Sequence, residues 1–188
     1  MPRGDYAGLM PSATAPHPLT PPDAAAARAL WKAWVSGLPD AQTPAEAYAL
    51  GQFGDHRAMA DELLDLVLRG VKTATASLLA EYRWEGETPP SIGAHTVFCD
   101  GSGVPRVIVR TTRLEIRRFD AVDADHARAE GEGDRSLAHW RAEHRAFWDR
   151  ICTAAGTRFA PEMEVVLEHF AVVWPPAEDS ARHLATPG

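Results

Sequence analysis

One β-hairpin signal in the middle of the chain constrains its fold more than any other feature. The segments His95–Cys99 and Arg106–Arg118 have the composition of strands, and Asp100-Gly101-Ser102-Gly103 joins them. Asp and Gly accept the positive φ angles that a tight hairpin turn requires. Two strands joined in this way run antiparallel, so the chain is predicted to contain an antiparallel sheet.

Helical patterns lie on both sides of this hairpin. Asp23 is predicted to cap a helix that carries two tryptophans and ends at Gly37. A second apolar stripe ends before Gly70, and Ser136 is placed to cap a third, longer helix. The valine-rich segment Glu164–Trp174 is predicted to close the sheet. Helices mixed with antiparallel strands indicate an α+β fold, a small curled sheet or barrel flanked by helices.

Three shorter elements are also predicted. The capping box that begins at Thr43 favours a short helix to about Leu50. The small and β-branched residues after Val71 favour a strand or extended loop. Asp120 is expected to cap a helix that runs through Ala129.

Both ends of the chain differ in composition from its middle. Six prolines fall within the first 22 residues, so 1–22 are predicted to form a flexible Pro-rich leader. Residues 175–188 are expected to form a flexible tail. At 188 residues there is room for one domain with its own core, which we place at 23–174 with a helical extension at its N-terminal side.

Composition excludes several classes of protein. Apolar residues make up 45% and charged residues 24%, which is typical of a water-soluble fold, and no segment has the roughly 20 apolar residues of a membrane span. We therefore expect a cytoplasmic protein with no membrane partner and with Cys99 and Cys152 reduced. The net charge of −7 disfavours broad, nonspecific binding of nucleic acid but allows a small pocket for a nucleoside or a short single strand.

The segment Gly70-Val71-Lys72-Thr73-Ala74-Thr75 has the form G-x-K-x-x-T. Together with Phe53-Gly54-Asp55, the Ile92-Gly93 turn and the acidic, Gly-rich stretch 129–136, it resembles the ASCH superfamily over roughly residues 28–174. The β-barrel of that superfamily resembles the PUA domain of RNA-modification proteins, so the resemblance implies a PUA-like curled antiparallel barrel. The helix around Trp31 has no counterpart in the small enzymes of the family.

The resemblance also implies an active centre. In small ASCH enzymes similar to amidohydrolases of acetylated cytidine, it consists of a lysine, the threonine three residues later and a downstream glutamate. The matching positions are Lys72, Thr75 and, through the His-Ala-x-x-Glu pattern at His126–Glu130, Glu130. Chemically, a threonine hydroxyl needs a base, and a desolvated lysine with a lowered pKa is one candidate. Glu130 would then orient the lysine or carry a proton to the leaving amine.

Further residues are candidates for substrate binding through aromatic stacking, phosphate contacts or a helix N-terminus. They are Phe53, Asp55, Tyr82, Arg83, Arg135 and Ser136. Structural roles are the alternatives: a buried ring for Phe53 and a helix cap for Asp55, which the sequence slightly favours, and a helix cap for Ser136, which explains that residue equally well.

Three functions remain open from the sequence. The first is a hydrolase, without a cofactor, of a small acylated nucleoside-like substrate. The second is a metal-assisted ribonuclease that acts on short single-stranded RNA, with manganese as the metal to test. Its candidate metal ligands lie on the acidic helix at Asp123–Glu130. The alternative is that this segment is an ordinary solvated helix. The third is a non-catalytic RNA-binding module.

Overall fold

Two long antiparallel strands form the centre of the fold. In the computed structural model, which describes residues 17–39, 44 and 48–176, they are β4 (Pro105–Arg118) and β5 (Glu164–Trp174). Their register shifts between Ile108 and Val109 and again between Thr111 and Arg113. Such bulges bend a strand and increase its twist, and this gives the sheet its curl.

Three shorter strands complete the sheet in the described part of the chain. They are β1 (Ala49–Gly51), β2 (Ala74–Leu78) and β3 (His95–Cys99), and the order across the sheet is β1-β3-β4-β5-β2. All neighbours pair antiparallel except β1 and β3, which run parallel. The predicted α+β fold with a curled sheet is therefore confirmed. The sheet is mixed rather than purely antiparallel, because the edge strand β1 runs parallel to β3.

Helices cover both faces of the sheet, and their boundaries follow local capping. They are α1 (Ala24–Ser36), α2 (Arg57–Leu68), α3 (Leu79–Glu85), α4 (Ala124–Glu130) and α5 (Leu137–Ala154). The Asp23 carboxylate accepts from two free amides of α1, and the Ser136 hydroxyl accepts from the backbone of His139 in α5. Both caps match the predictions. No described helix combines the length and the apolarity that a bilayer crossing requires.

The alternating side chains of β4 explain how the core is divided. Val107 and Val109 point to the face that α2 covers, whereas Ile108 points to the face that α1 covers. A third apolar cluster, centred on Trp140 and Trp148 of α5, packs against β2 and β5. The clusters under α2 and α5 come together beside the N-terminal end of β2, where a polar site is buried between them.

Two local predictions are corrected. Residues 119–121 form a single 3₁₀ turn, and Asp123 rather than Asp120 caps the helix that follows, because the Asp123 carboxylate accepts from the His126 amide at 3.0 Å. The short helix expected from Thr43 lies mostly outside the described residues, and its predicted end falls in β1. The strand pairing of β1 with β3 replaces the helix there.

Part of the predicted leader is also described. The Thr20 amide donates to the Gly101 carbonyl at 3.0 Å, and Gln52 donates to the Thr20 carbonyl at 2.9 Å. Residues 17–22, which the sequence places in the leader, therefore pack against the β3–β4 turn. Residues 1–16 and most of the predicted tail, 177–188, lie outside the described residues.

Candidate active site

The G-x-K-x-x-T segment is held at both ends by backbone hydrogen bonds. The amides of Val71 and Lys72 both donate to the Leu66 carbonyl in the last turn of α2, at 2.9 and 3.0 Å. Gly70, with φ of +69°, makes the sharp reversal that allows this. One residue further, the Thr73 amide donates to the Ala129 carbonyl of α4 at 2.8 Å. Lys72 is thus fixed between the ends of two helices.

The Lys72 side chain forms a buried ion pair with two carboxylates. Its Nζ lies 2.8 Å from Oε2 of Glu130 and 2.6 Å from Oε1 of Glu132. The side chains of Lys72 and Glu130 are each only 1% exposed, whereas Glu132 is 19% exposed. The ring of Phe53 lies on another side of the ammonium, with its centroid 5.6 Å from Nζ.

The charge state of this pair corrects one prediction. Burial lowers the pKa of Lys72, but the carboxylates of Glu130 and Glu132 together outweigh burial and hold the pKa above 10.5. Burial likewise raises the pKa of Glu130, yet Lys72 and the nearby His144 and His126 hold it well below 4.5. Lys72 is therefore an ammonium with a raised pKa, and the expectation of a lysine base with a lowered pKa is wrong.

The second oxygen of Glu130 is held equally firmly. Oε1 accepts a hydrogen bond from Nε1 of Trp140 at 2.7 Å and from Nε2 of His126 at 3.0 Å. Nε2 of His144 lies a little further away, at 3.6 Å. Since both carboxylate oxygens have close donors, Glu130 is a fixed negative charge with little freedom to rotate.

A glycine between the two glutamates makes their approach to Lys72 possible. Gly131 has φ of +74°, and a Cβ added there would lie 2.6 Å from the Val71 carbonyl oxygen. Any side chain at this position would push the turn away from the segment that carries Lys72. The turn therefore delivers Glu130 and Glu132 to the same nitrogen only because residue 131 is glycine.

The ammonium faces a small cavity of about 80 Å³. Its polar wall consists of Lys72, Thr75, Glu130, Glu132, Glu143 and His144. Its apolar wall includes Phe53, Met59, Leu63 and Phe147. The three residues predicted as the catalytic centre therefore border one cavity. One lysine against three glutamates makes the formal charge of the lining negative, so the cavity favours neutral or cationic groups over phosphate.

Comparison with known proteins places this chain in a family. The sequence model described as the ASCH domain matches residues 49–174. This chain belongs to the ASCH domain family. A crystal structure of an ASCH domain from Lactobacillus crispatus JV V101 is 33% identical, covers 79% of this chain and 94% of its own, and superposes with a TM-score of 0.75. A protein from Enterococcus faecalis V583 is 31% identical, covers 79% of this chain and 88% of its own, and has a TM-score of 0.72. No curated protein matches the sequence.

In this ASCH domain, the predicted substrate-binding residues do not all gather at the cavity. Phe53 lines it, but Asp55 points to Arg150 of α5, with Oδ2 2.6 Å from Nη2. The Tyr82 hydroxyl shares a hydrogen bond of 2.9 Å with Ser77. Arg83 borders a separate surface depression together with Arg118 and Glu162. Tyr82 and Arg83 are not part of the described lining of the Lys72 cavity.

Arg135 and Ser136 serve the turn into α5. Arg135 is exposed and adopts φ of +61°, and its amide donates to the Glu132 carbonyl at 2.9 Å. Ser136 caps α5 through its hydroxyl. The structural explanation therefore accounts for Ser136, and neither side chain borders the described cavity.

The acidic helix of the ribonuclease hypothesis has other partners. Asp123 caps α4 and accepts from Arg117 at 2.9 Å, while His126 and Glu130 bind each other. The described residues contain no group of three or more His, Cys, Asp or Glu side chains arranged to hold a metal ion. Asp123, His126 and Glu130 are therefore engaged with other protein groups in the described structure.

Sequence reasoning missed two groups at the centre of the site, Glu132 and His144. Glu132 follows Glu130 by two positions in a turn whose path depends on Gly131. His144 comes from a different helix, but a signal for it exists: it falls four residues after Trp140 and four before Trp148, on the apolar stripe of α5. A polar side chain on a buried stripe indicates a site.

Proposed function

We propose that this ASCH domain is a hydrolase that cleaves the amide bond of a small acylated nucleoside, of which N-acetylated cytidine is the first example to test. One observation carries the proposal: the buried Lys72–Glu130 ion pair lies at the wall of a small cavity that Thr75 also lines. Around one cavity, the ammonium can stabilise developing negative charge and the hydroxyl can act as a nucleophile, which are two of the roles that acyl transfer needs.

Lys72 acts here as an electrostatic group. A lysine ammonium has three N–H donors, and Glu130 and Glu132 accept from two of them. The third is left to donate to the carbonyl oxygen of a bound amide. As that carbonyl becomes tetrahedral, negative charge develops on its oxygen, and a positioned cation stabilises this charge more than it stabilises the ground state.

Thr75 supplies the nucleophile in this proposal. Its Oγ attacks the carbonyl carbon, the C–N bond breaks, and the acyl group is carried as an ester until water releases it. The β2 strand presents Thr75 at the cavity, and the neighbouring β5 strand fixes its register through the pairing of Thr75 with Glu168. A residue on a paired strand gives a more rigid position than one on a loop.

The size of the cavity supports a small reacting group. At about 80 Å³ it has the volume of roughly two or three water molecules, so it accommodates an acetyl group but not a nucleoside. The sugar and the base would therefore lie outside the rim, beside Phe53 or Phe147. This geometry favours short acyl chains.

The charge of the lining supports the hydrolase over the ribonuclease. Cleavage of RNA places a phosphodiester at the reacting centre, where Glu130, Glu132 and Glu143 would repel it. An uncharged amide and the neutral amine that it releases are not repelled. The RNA-binding alternative predicts affinity for single-stranded RNA that falls steeply with salt, without turnover of small amides.

The experiment is direct. Purified protein is incubated with N-acetylcytidine, and free cytidine is followed by chromatography. We expect turnover by the native sequence and its loss in Lys72→Met. Arg69→Met is the matched control, since Arg69 is a half-exposed cation near the motif that pairs with Asp65. Absence of turnover at high enzyme concentration, with RNA affinity present, would replace the hydrolase by the binding module.

A further inference from the structure

The proposed reaction lacks one component. Thr75 can attack only if a base removes its proton, and Lys72, with its raised pKa, does not provide one. Glu130 is held by donors on both oxygens, which makes it a poor proton acceptor. A separate base must therefore border the same cavity.

His144 has the position and the hydrogen bonding of such a base. It lines the cavity, and its side chain is 13% exposed. Nδ1 lies 3.0 Å from the Trp140 carbonyl oxygen. A carbonyl oxygen only accepts, so Nδ1 carries the proton in this bond. In the neutral ring, Nε2 then has a free lone pair.

Packing fixes the ring in this orientation. The imidazole stacks on Trp140, with centroids 4.2 Å apart, and contacts Trp148 at 5.0 Å on its other side. Nε2 lies 3.6 Å from Oε1 of Glu130. When Nε2 gains a proton, the buried carboxylate is close enough to stabilise the imidazolium. The hydrogen bond at Nδ1 thus fixes both the tautomer and the orientation of the ring.

The other titratable groups at the cavity are less suitable. Glu132 is engaged with Lys72, and Glu143 is exposed, so its carboxylate is solvated. Glu168 lies opposite Thr75 in the β2–β5 pairing, but its carboxylate accepts from the Thr111 hydroxyl at 2.5 Å and it is not part of the described lining.

We infer that His144 is the catalytic general base and acid of this site, a role that rests on the proposed hydrolase function. Nε2 takes the proton of the Thr75 hydroxyl as Oγ bonds to the acyl carbon. The amide C–N bond breaks, and Nε2 gives that proton to the departing amine. Water then attacks the ester, losing a proton to Nε2, and the acid leaves as Thr75 regains its hydrogen. The net reaction consumes one water and one amide and yields one acid and one amine.

The test compares two histidines on one helix. His144→Asn keeps a side-chain N–H for the Trp140 carbonyl but lacks the base. His139→Asn is the matched control, since His139 also lies in α5 but outside the described lining. We expect His144→Asn to lower kcat by about 10²–10⁴-fold with little change in KM, whereas His139→Asn should change neither value. If His144→Asn does not fold, His144→Gln replaces it.

The failures of the two proposals are distinguishable. If the native protein hydrolyses acetylcytidine and His144→Asn does so at a similar rate, the base is not His144 and the hydrolase stands. If the native protein has no activity on any short acyl nucleoside, the hydrolase is overturned and the catalytic role of His144 with it.

A second measurement needs no substrate. Nitrogen NMR of the imidazole reports which nitrogen carries the proton. We expect the neutral His144 ring to carry its proton on Nδ1 and to have an unprotonated Nε2. The opposite tautomer would overturn the inference whatever the activity, because Nε2 would then have no lone pair to accept a proton.

Discussion

Nζ of Lys72 and Oε2 of Glu130 lie 2.8 Å apart, although 58 positions separate the two residues in the chain. The pair joins the segment between α2 and β2 to the C-terminal end of α4, and almost no water reaches it. In such surroundings each charge depends on the other, since an isolated buried charge costs several kcal/mol. The same contact thus holds the fold together and sets the charge of the proposed site.

Removing either charge of the Lys72–Glu130 pair is therefore expected to destabilise the fold strongly. Lys72→Met leaves the Glu130 carboxylate buried without its cation, and Glu130→Gln leaves the ammonium with Glu132 alone. We expect each single variant to lower the free energy of unfolding by about 3–5 kcal/mol, measured by urea denaturation. We expect the double variant Lys72→Met/Glu130→Gln to lose less than the sum of the two losses.

An exposed ion pair on the same helix provides the control. Arg128 and Asp125 pair at 2.8 Å, but their side chains are 65% and 91% exposed. Asp125→Asn should change stability by less than about 0.5 kcal/mol. Equal losses at Asp125 and Glu130 would contradict the role assigned to burial.

The buried pair also predicts how stability depends on pH. In the folded protein the pKa of Glu130 lies well below 4.5. The contribution of Glu130 to the free energy of unfolding is therefore complete above pH 4.5 and is lost as the pH falls through the pKa of the folded state. In the folded protein the pKa of Lys72 lies above 10.5. The contribution of Lys72 to the free energy of unfolding is therefore complete below pH 10.5 and is lost as the pH rises through the pKa of the folded state. The stability difference between the native protein and the double variant should form a plateau between these limits and shrink at both ends. A difference that does not vary with pH would contradict this.

Much of the fold was predictable because its signals are local. The Asp100–Gly103 turn specifies the hairpin, and Asp23 and Ser136 cap the helices that they were expected to cap. Strand β1 was not predictable, because a three-residue strand takes its conformation from pairing with β3 rather than from its own sequence. The helix predicted from Thr43 was expected to end at about Leu50, and at Leu50 the pairing with β3 decides the structure.

The site was predictable only in part. The motif resemblance identified Lys72, Thr75 and Glu130, and all three border the cavity. The sign of the Lys72 pKa shift was not predictable, since it depends on how closely the carboxylates of Glu130 and Glu132 approach the buried ammonium. Asp55 was expected at the pocket, but Arg150 of α5, 95 positions away, pairs with it instead. Both the pKa of Lys72 and the position of the Asp55 side chain are therefore set by contacts between segments that are distant in the sequence.

Gly131 provides a test of the turn that delivers the two glutamates. Gly131→Ala forces a side chain into a backbone with φ of +74° and places its Cβ 2.6 Å from the Val71 carbonyl oxygen. Gly156→Ala is the control, because Gly156 has φ of +73° with no atom within 4 Å of an added Cβ. The control should lose about 1 kcal/mol from backbone strain alone.

Gly131→Ala should lose at least about 1 kcal/mol more than Gly156→Ala, because overpacking adds to strain. It should also reduce hydrolytic activity, since the turn carries Glu132 away from Lys72. Thermal unfolding and initial rates measure both effects. Equal stability losses in the two variants would show that the close approach at residue 131 is unimportant.

The two cysteines provide a test of the core. Cys99 and Cys152 are free and buried, and burial raises the pKa of Cys99 to about 11. The thiolate is the reactive form, so both thiols should resist an aromatic disulfide reagent at neutral pH and react at once in denaturant. Rapid labelling of the folded protein at either position would contradict the burial.

Thr75 allows the nucleophile to be separated from a structural role. Thr75→Ser keeps the hydroxyl and should retain activity within about tenfold, whereas Thr75→Val keeps the shape and β-branching of the side chain and should lose about 10²-fold or more. Because valine suits a strand as well as threonine does, both variants should unfold at similar denaturant concentrations. Rapid quenching followed by mass spectrometry should detect an acyl group on the peptide that contains residue 75 in the native protein and in Thr75→Ser, but not in Thr75→Val. Full activity of Thr75→Val would instead mean that water attacks the amide directly and that Thr75 only shapes the cavity.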